Sequence, residues 1–174
     1  MPNKTIFLDR DGVINKEVSY LHMIKDCEFI DGIFEACNYF QNIGFTIVII
    51  TNQSGIARGL FTENDYQILT NWITEQFNKK GIHLLDIFHC THGPDSLCNC
   101  RKPMPGMLFE AQNKYDIDMT NSWLIGDKEV DINAANNAGI TNTILLRSGH
   151  KLNEDISKAK HILDSVIDSI KVIK

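Results

Sequence analysis

Short apolar runs alternate with helical patterns along the whole chain, and the run at 45–50 constrains the fold most. Its sequence, Phe-Thr-Ile-Val-Ile-Ile, is almost continuously apolar and β-branched, as is typical of a parallel strand covered on both faces. Weaker runs of the same kind lie at 5–8, 85–90, 122–126 and 143–146. Strands that alternate with helices predict a doubly wound α/β fold with a mostly parallel sheet, in which ligands collect at the carboxyl ends of the strands.

The segments between these runs have the spacing and the end signals of helices. Helical patterns extend over 32–43, 63–79, 106–115 and 130–138. Thr62 is placed as an N-cap, and Asp65 follows it in the position of a capping box. Glycines that follow three of the helices occupy the C-cap position: Gly44, Gly81 and Gly139. A last strand and helix are predicted between 161 and 173. Since no repeat, low-complexity tract or linker is evident, we expect one domain over 1–174.

Composition and charge restrict the class of protein. The chain has 174 residues, of which 43% are hydrophobic and 22% charged, as is typical of a soluble globular protein. Its net charge of -5, with scattered lysines, disfavours nucleic acid as a partner. No apolar stretch approaches the length of a membrane span, and the first residues lead into a strand without a signal peptide. We therefore expect a cytoplasmic protein, and a monomer, because no long exposed apolar stripe is evident.

The first predicted strand ends in two carboxylates. Asp9 and Asp11 follow the apolar run, and Gly12 then allows the backbone to turn away. Two carboxylates at the mouth of a buried strand favour a bound cation. One of them is suited to attack a phosphorus atom while its neighbour carries protons. A surface loop rich in aspartate is the alternative interpretation of this segment alone.

Two further motifs follow the strands at 45–50 and 122–126. The first, Thr-Asn-Gln-Ser-Gly at 51–55, offers hydroxyl, amide and backbone N–H groups that can hold phosphate oxygens, although an ordinary capped turn has the same composition. The second contains Asp127, which could complete a magnesium site, and Asp131, which lies one helical turn later on the same face as a supporting acceptor. An N-capping aspartate in a solvated acidic turn is the alternative there.

The pair Arg101-Lys102 precedes a proline. Two adjacent cations are most often a solvated surface pair, but Pro103 can begin the next helix. In that case the pair would lie just before a helix N-terminus, which is a favourable place for an anion.

Three cysteines and one histidine are crowded into eleven residues: Cys90, His92, Cys98 and Cys100. Three thiolates and one imidazole match a closed tetrahedral zinc site, which would be structural because no ligand position remains for water. Such a zinc ion would order the loop at 90–101 and place Arg101 directly beyond the last thiolate. Reduced free cysteines on a mobile loop are the alternative.

The other cysteines and histidines carry no comparable pattern. Cys27 and Cys37 stand alone and are expected to be buried small hydrophobic residues. No partner can be identified from the sequence for the remaining histidines, which are His22, His83, His89, His150 and His161. We expect each of them to be a surface or internally satisfied residue rather than a catalytic one.

The order of the motifs resembles that of the haloacid dehalogenase superfamily of aspartyl phosphatases. The motifs are Asp-x-Asp-Gly, Thr-Asn-Gln-Ser, Arg-Lys-Pro and Gly-Asp-Lys. Within this superfamily, the chain is similar to the group of histidinol and heptose bisphosphate phosphatases, which carry a Cys-x-His…Cys-x-Cys zinc loop. The resemblance covers about residues 5–150. It implies a Rossmann-type α/β domain without a large cap domain, a zinc-stabilised loop and a Mg2+-dependent phosphatase activity.

The resemblance also implies a role for each matched residue. Asp9 would be the nucleophile and a Mg2+ ligand, Asp11 the general acid/base and a ligand through its backbone carbonyl, and Asp127 the third Mg2+ ligand. Thr51 and Lys102 would hold the transferring phosphoryl group. Substrate contacts are implied for a further set of residues: Glu17, Tyr20, Asn52, Gln53, Ser54, Arg101 and Lys128.

The substrate is less narrowly implied than the reaction. The strings at 15–17 and 53–59 are similar to those of the heptose enzymes and favour removal of the 7-phosphate of a heptose 1,7-bisphosphate. The product would enter nucleotide-activated heptose biosynthesis, for lipopolysaccharide, capsule or another glycan. The short zinc loop between His92 and Cys98 resembles the histidinol-phosphate phosphatases, so histidinol phosphate is the alternative. A non-catalytic zinc-containing binding module would have no need for the complete set of motif residues. A nucleic-acid 3′-phosphatase would require a basic groove, which this acidic chain does not show.

Overall fold

The computed structural model describes residues 2–174, and its centre is one six-stranded sheet. The strands in chain order are β1 Thr5–Leu8, β2 Thr46–Asn52, β3 Leu84–Cys90, β4 Trp123–Gly126, β5 Asn142–Leu146 and β6 His161–Leu163. They lie in the order β3-β2-β1-β4-β5-β6, and every neighbouring pair is parallel. The predicted doubly wound sheet is therefore confirmed, and it is parallel throughout.

Helices cover both faces of the sheet. They are α1 Ile33–Asn42, α2 Glu63–Lys79, α3 Gly106–Tyr115 and α4 Glu129–Asn137. Successive residues of a strand point to opposite faces, so Ile6 and Leu8 pack with α1 and α2, whereas Phe7 packs with α3 and α4. All three of these side chains are fully buried, which explains why the strands contain continuous apolar runs.

The end signals of the helices agree with the structure. In α2 the Asp65 N–H donates to the Thr62 side-chain oxygen at 3.1 Å, and the Thr62 N–H donates to the Asp65 carboxylate at 2.8 Å. This reciprocal pair is the predicted capping box. The predicted C-cap glycines all have positive φ angles: Gly44, Gly81 and Gly139.

The C-terminal segment differs from the prediction in one respect. Strand β6 is present, but the residues after it form a 3-10 helix, Val166–Lys171, instead of an α-helix. Ile167 and Ile170 pack against the core layer of α1, and the Tyr39 hydroxyl of α1 donates to the Ile173 carbonyl at 3.0 Å. Packing on α1 thus shapes a segment that is only six residues long.

Loops at the carboxyl edge of the sheet position the groups described below. The longest of them connects β1 to α1, and another connects β3 to α3. Within residues 2–174 no inserted cap domain lies over this edge. None of the helices in this part of the chain is both long and apolar enough to cross a membrane.

Candidate active site

The carboxyl ends of β1 and β4 bring three acidic side chains together. Asp9 directly follows β1, Asp127 directly follows β4, and Asp131 lies in the first turn of α4. Carboxylate oxygens from all three lie within 4.8 Å of one another. Lys102 reaches the same point from the loop between β3 and α3. Residues that are more than 90 positions apart in the sequence thus form one buried cluster.

The ammonium group of Lys102 is surrounded by acceptors, and the residue is only 4% exposed. Its Nζ lies 2.8 Å from Asp9 Oδ1 and 2.7 Å from Asp131 Oδ1, and it donates to the Ile50 carbonyl at 3.0 Å. Asp9 and Ile50 accept hydrogen bonds from this ammonium, and Asp131 is its second ion-pair partner. Lys102 is therefore a fixed positive charge between two carboxylates.

The backbone around Lys102 is fixed by Asn52 at the end of β2. The Lys102 N–H donates to Asn52 Oδ1 at 3.0 Å, and Asn52 Nδ2 donates to the Lys102 carbonyl at 3.2 Å. The expectation that Pro103 begins a helix is wrong, because α3 begins at Gly106. The Arg101-Lys102 pair accordingly does not lie just before a helix N-terminus, and the amide clamp holds it at the sheet edge instead.

Burial and neighbouring charges change the pKa of Asp9, Asp127 and Lys102. Burial, reinforced by Asp131, raises the pKa of Asp9 well above its usual range, although Lys102 opposes the shift. Burial and Asp131 also raise the pKa of Asp127 to about 7. Burial works to lower the pKa of Lys102, but the carboxylates of Asp131 and Asp9 outweigh it and raise that pKa. One ammonium faces three carboxylates, so a further cation would stabilise their ionised forms.

Asp127 has the free acceptor that such a cation requires. The residue is fully buried, and its Oδ1 has no hydrogen-bond partner within residues 2–174. Backbone packs closely against the carboxylate, since a Cβ added at Gly12 or Gly149 would lie 2.2 Å or 2.0 Å from Asp127 Oδ2. Carboxylate oxygens are the ligands that Mg2+ prefers. The donor set of Asp9 and Asp127 therefore fits a magnesium ion.

The carboxylate of Asp11 lies beside this cluster and is held by several donors. Arg10 donates to Asp11 Oδ1 from Nε at 3.2 Å and from Nη2 at 3.0 Å. Asn15 Nδ2 donates to the same oxygen at 2.9 Å. Gln53 Nε2 lies 3.1 Å from Asp11 Oδ2 and 2.9 Å from Thr51 Oγ1, so one amide joins Asp11 to the buried hydroxyl at the end of β2.

A cavity of about 460 Å³ opens over these residues. It is lined by Asp9, Asp11 and Lys102 together with every residue for which a substrate contact was expected, namely Glu17, Tyr20, Asn52, Gln53, Ser54, Arg101 and Lys128. Thr51 is fully buried and is not part of the lining.

Arg58 also lines the cavity and was given no role in the sequence analysis. Its guanidinium lies 5.7 Å from the centre of the Tyr20 ring, a cation–π distance. Arg58 belongs to the string at 53–59, so its position after the Thr-Asn-Gln-Ser motif was the available signal. Together with Arg101 and Lys128 it places positive charge along the outer part of the cavity.

The cysteine and histidine side chains of the 90–101 segment form a compact group. The ligand atoms of Cys90, His92, Cys98 and Cys100 lie within 4.8 Å of one another. His92 Nδ1 is 3.4 Å from Cys90 Sγ and 3.3 Å from Cys100 Sγ, and the sulfurs of Cys90 and Cys98 are 3.8 Å apart. Burial raises the pKa of Cys90 to about 12, so a cation would be needed to keep this thiol ionised at neutral pH.

Two histidines have carboxylate partners that the sequence did not reveal. His150 Nδ1 lies 2.6 Å from Asp127 Oδ2, and His89 Nε2 lies 2.8 Å from Glu63 Oε1. Of the two cysteines outside the 90–101 segment, Cys37 is buried as expected, whereas Cys27 is only partly buried. His150 therefore belongs to the cluster of ionisable groups described here.

Comparisons with known proteins agree with this arrangement. A family model described as HAD-hydrolase-like matches residues 99–173. A D-glycero-alpha-D-manno-heptose-1,7-bisphosphate 7-phosphatase of Photorhabdus laumondii subsp. laumondii is 47% identical, with 90% of this chain and 89% of the relative covered. A D-glycero-beta-D-manno-heptose-1,7-bisphosphate 7-phosphatase of Yersinia pestis is 44% identical, with 97% of this chain and 94% of the relative covered.

A solved structure extends the likeness to the fold. The crystal structure of a D,D-heptose 1,7-bisphosphate phosphatase from B. bronchiseptica, complexed with magnesium and phosphate, superposes with a TM-score of 0.86. It is 30% identical to this chain, and 97% of each chain is covered. By sequence and by fold, this chain belongs to the heptose-1,7-bisphosphate 7-phosphatase family of haloacid dehalogenase-like hydrolases.

Proposed function

We propose that this chain is a Mg2+-dependent phosphatase that removes the 7-phosphate of D-glycero-D-manno-heptose 1,7-bisphosphate, in the cytoplasmic biosynthesis of nucleotide-activated heptose. One observation carries the proposal: a single cavity has the buried Asp9–Lys102 pair at its base and the more exposed cations Arg58, Arg101 and Lys128 further out. A bisphosphate offers one phosphate to each of these two regions. The relatives at 44–47% identity, which are named as heptose-1,7-bisphosphate 7-phosphatases, support the same substrate.

Asp9 would attack the phosphorus atom. Its Oδ1 accepts hydrogen bonds from Lys102 Nζ and from the Arg10 backbone N–H, each at 2.8 Å, so the carboxylate is held before substrate arrives. Attack forms an aspartyl phosphate at Asp9, and the sugar oxygen departs. Lys102 offsets negative charge on the transferring phosphoryl group, which a carboxylate nucleophile would otherwise repel.

Asp11 would carry the protons of both half-reactions. It protonates the departing sugar oxygen and afterwards takes a proton from the water that cleaves the aspartyl phosphate. Arg10, Asn15 and Gln53 hold the Asp11 carboxylate beside the cavity. Because Gln53 also donates to Thr51, it links the proton carrier to the hydroxyl that we assign to the phosphoryl group.

The residues that would hold Mg2+ are Asp9, Asp127 and the backbone carbonyl of Asp11. When bound, the ion would neutralise charge on the phosphoryl oxygens. The unpartnered, buried Asp127 Oδ1 supports a cation at this position. The related B. bronchiseptica enzyme, which was crystallised with magnesium and phosphate, supports the choice of ion.

A structural zinc ion would be held by Cys90, His92, Cys98 and Cys100, which leave no ligand position for water. Bound zinc would affect the active site through Arg101, the residue that follows Cys100. Arg101 Nη1 donates to the His92 carbonyl at 3.3 Å, and Lys102 follows directly. Zinc would thus fix the stretch of backbone from which both cations extend.

Loss of zinc is expected to weaken both the fold and the activity. We expect Cys98→Ser to carry no zinc and to melt at least about 10 °C below the wild type, because structural zinc contributes many kcal/mol to folding in small sites. Metal analysis of the purified protein and thermal unfolding test this expectation. Cys27→Ser, which changes a cysteine outside the cluster, should retain about one zinc per chain. A full complement of zinc in Cys98→Ser would contradict the assignment.

The substrate is tested by phosphate release with Mg2+ present, from the α and β anomers of heptose 1,7-bisphosphate and from histidinol phosphate. We expect kcat/KM for at least one anomer of the bisphosphate to exceed that for histidinol phosphate by about tenfold or more, since histidinol phosphate leaves the outer cations without an anion. Arg101→Gln should reduce this preference. A preference for histidinol phosphate would keep the chemistry and reject the heptose substrate.

A further inference from the structure

Asp127 has one oxygen that is held and one that is free. Its Oδ2 lies 2.6 Å from His150 Nδ1, and its Oδ1 has no hydrogen-bond partner within the described part of the chain. No other side chain donates to either oxygen among residues 2–174. The backbone at Gly12 and Gly149 also approaches Oδ2 closely, so packing and the hydrogen bond act on the same oxygen of this fully buried carboxylate.

The loop that carries His150 is anchored on both sides of the carboxylate. The Arg147 N–H donates to the Leu163 carbonyl of β6 at 2.9 Å, and the Ser148 hydroxyl donates to the Gly12 carbonyl at 3.3 Å. Between these anchors and the ring lies Gly149, whose missing side chain permits the close approach to Asp127. The position of the imidazole is therefore set by backbone contacts, not only by its own bond.

The other edge of the ring points away from Asp127, towards Glu17 in the loop after β1. His150 Nε2 lies 4.0 Å from the carboxylate of Glu17, one of the residues that line the cavity. Nδ1 is thus the nitrogen that contacts Asp127, whereas Nε2 points towards the loop after β1. The two ring nitrogens can be tested separately, because asparagine places an amide near the position of Nδ1 and glutamine places one near the position of Nε2.

We propose that His150 is a positioning residue, which holds Asp127 Oδ2 through its Nδ1–H so that Oδ1 is presented to the catalytic divalent cation. The inference depends on the proposed function only in taking Asp127 as a ligand of that cation. Hydrogen bonds to a ligand's second polar atom commonly change metal affinity by a factor of about 10–100. His150 makes such a bond, and no motif in the sequence indicated it.

Binding of Mn2+ to the zinc-loaded protein, followed by electron paramagnetic resonance without substrate, tests the proposal directly. We expect His150→Ala to raise the Mn2+ dissociation constant by about 10–100-fold. His150→Asn should restore most of the affinity, since its amide can donate to Asp127 Oδ2, and His150→Gln should not. His83→Asn is the matched control, because that exposed side chain lies outside the cluster, and it should bind Mn2+ as the wild type does.

Turnover provides a second measurement that separates positioning from general damage. At saturating Mg2+ the His150→Ala protein should recover most of its kcat, because the cation is then bound despite the weaker site. Unchanged Mn2+ affinity in His150→Ala, or equal affinity in the Asn and Gln variants, would overturn the proposal. Failure of the wild type to hydrolyse heptose bisphosphate while binding Mn2+ would reject the proposed function and leave the role of His150 standing.

Discussion

Replacing Asp9 with asparagine is expected to abolish phosphate release while leaving the protein folded. The amide cannot form the aspartyl phosphate, and loss of a covalent nucleophile lowers turnover by at least about 10⁴-fold in comparable systems. Asparagine still offers an Oδ1 to Lys102 Nζ and to the Arg10 N–H, so the local structure should persist. Steady-state phosphate release from heptose 1,7-bisphosphate measures the effect.

The intermediate gives this prediction a second measurement. Wild-type protein quenched in acid during turnover should carry phosphate that hydroxylamine releases, as an acyl phosphate does, and Asp9→Asn should carry none. Asp31→Asn, which changes an exposed aspartate elsewhere, is the control and should behave as the wild type in both assays. Substantial turnover by Asp9→Asn would remove Asp9 as the nucleophile and with it the proposed mechanism.

Local signals in the sequence predicted most of the secondary structure. The helix at 63–79 was located residue for residue, because Thr62 and Asp65 form the capping box that their spacing indicates. The strand at 45–50 was located within two residues at its end, since a run buried on both faces needs no alternation to be recognised. The 3-10 segment Val166–Lys171 was predicted as a helix of the wrong type because its shape depends on α1, which is distant in the sequence.

The features of the site that could not be predicted from the sequence are contacts between residues that are far apart along the chain. Lys102 was recognised as a motif residue, but its burial between Asp9 and Asp131 follows only from the folded sheet. The bond between Gln53 and Asp11 joins residues 42 positions apart. His150 meets Asp127 only because the loop after β5 crosses back over β4, and neither residue's neighbours in the sequence indicate this. Motifs thus gave the identity of reactive groups, and the fold gave their partners.

Replacing Lys102 with methionine should cost both activity and stability. The methionine side chain is close in length and shape but leaves Asp9 and Asp131 buried without a cation. Removal of one partner from a buried ion pair commonly costs about 3–5 kcal/mol in the free energy of unfolding. Turnover should fall by about 10²–10³-fold, as for loss of one preorganised group that stabilises charge in the transition state. Denaturant unfolding and phosphate release measure the two effects.

The pH dependence of the lost stability identifies its cause. The pKa of Asp9 is already raised in the folded protein by burial and Asp131, and removal of Lys102 takes away the charge that opposes this shift. A carboxyl group whose pKa is higher in the folded state binds more protons there, so its contribution to stability decreases as the pH rises above its unfolded value of about 4. The difference in unfolding free energy between Lys102→Met and the wild type should therefore be larger at pH 8 than at pH 5.

Two variants separate this electrostatic explanation from a packing defect. Lys114→Met removes the lysine of an exposed pair with Asp86, so it should leave turnover unchanged and stability nearly so. Asp131→Asn in the Lys102→Met background removes one of the two carboxylates that lost their cation, and it should restore part of the stability at pH 8 without restoring turnover. If the double variant is no more stable than Lys102→Met, and the loss does not vary with pH, then the lysine stabilises the fold by filling space rather than by its charge.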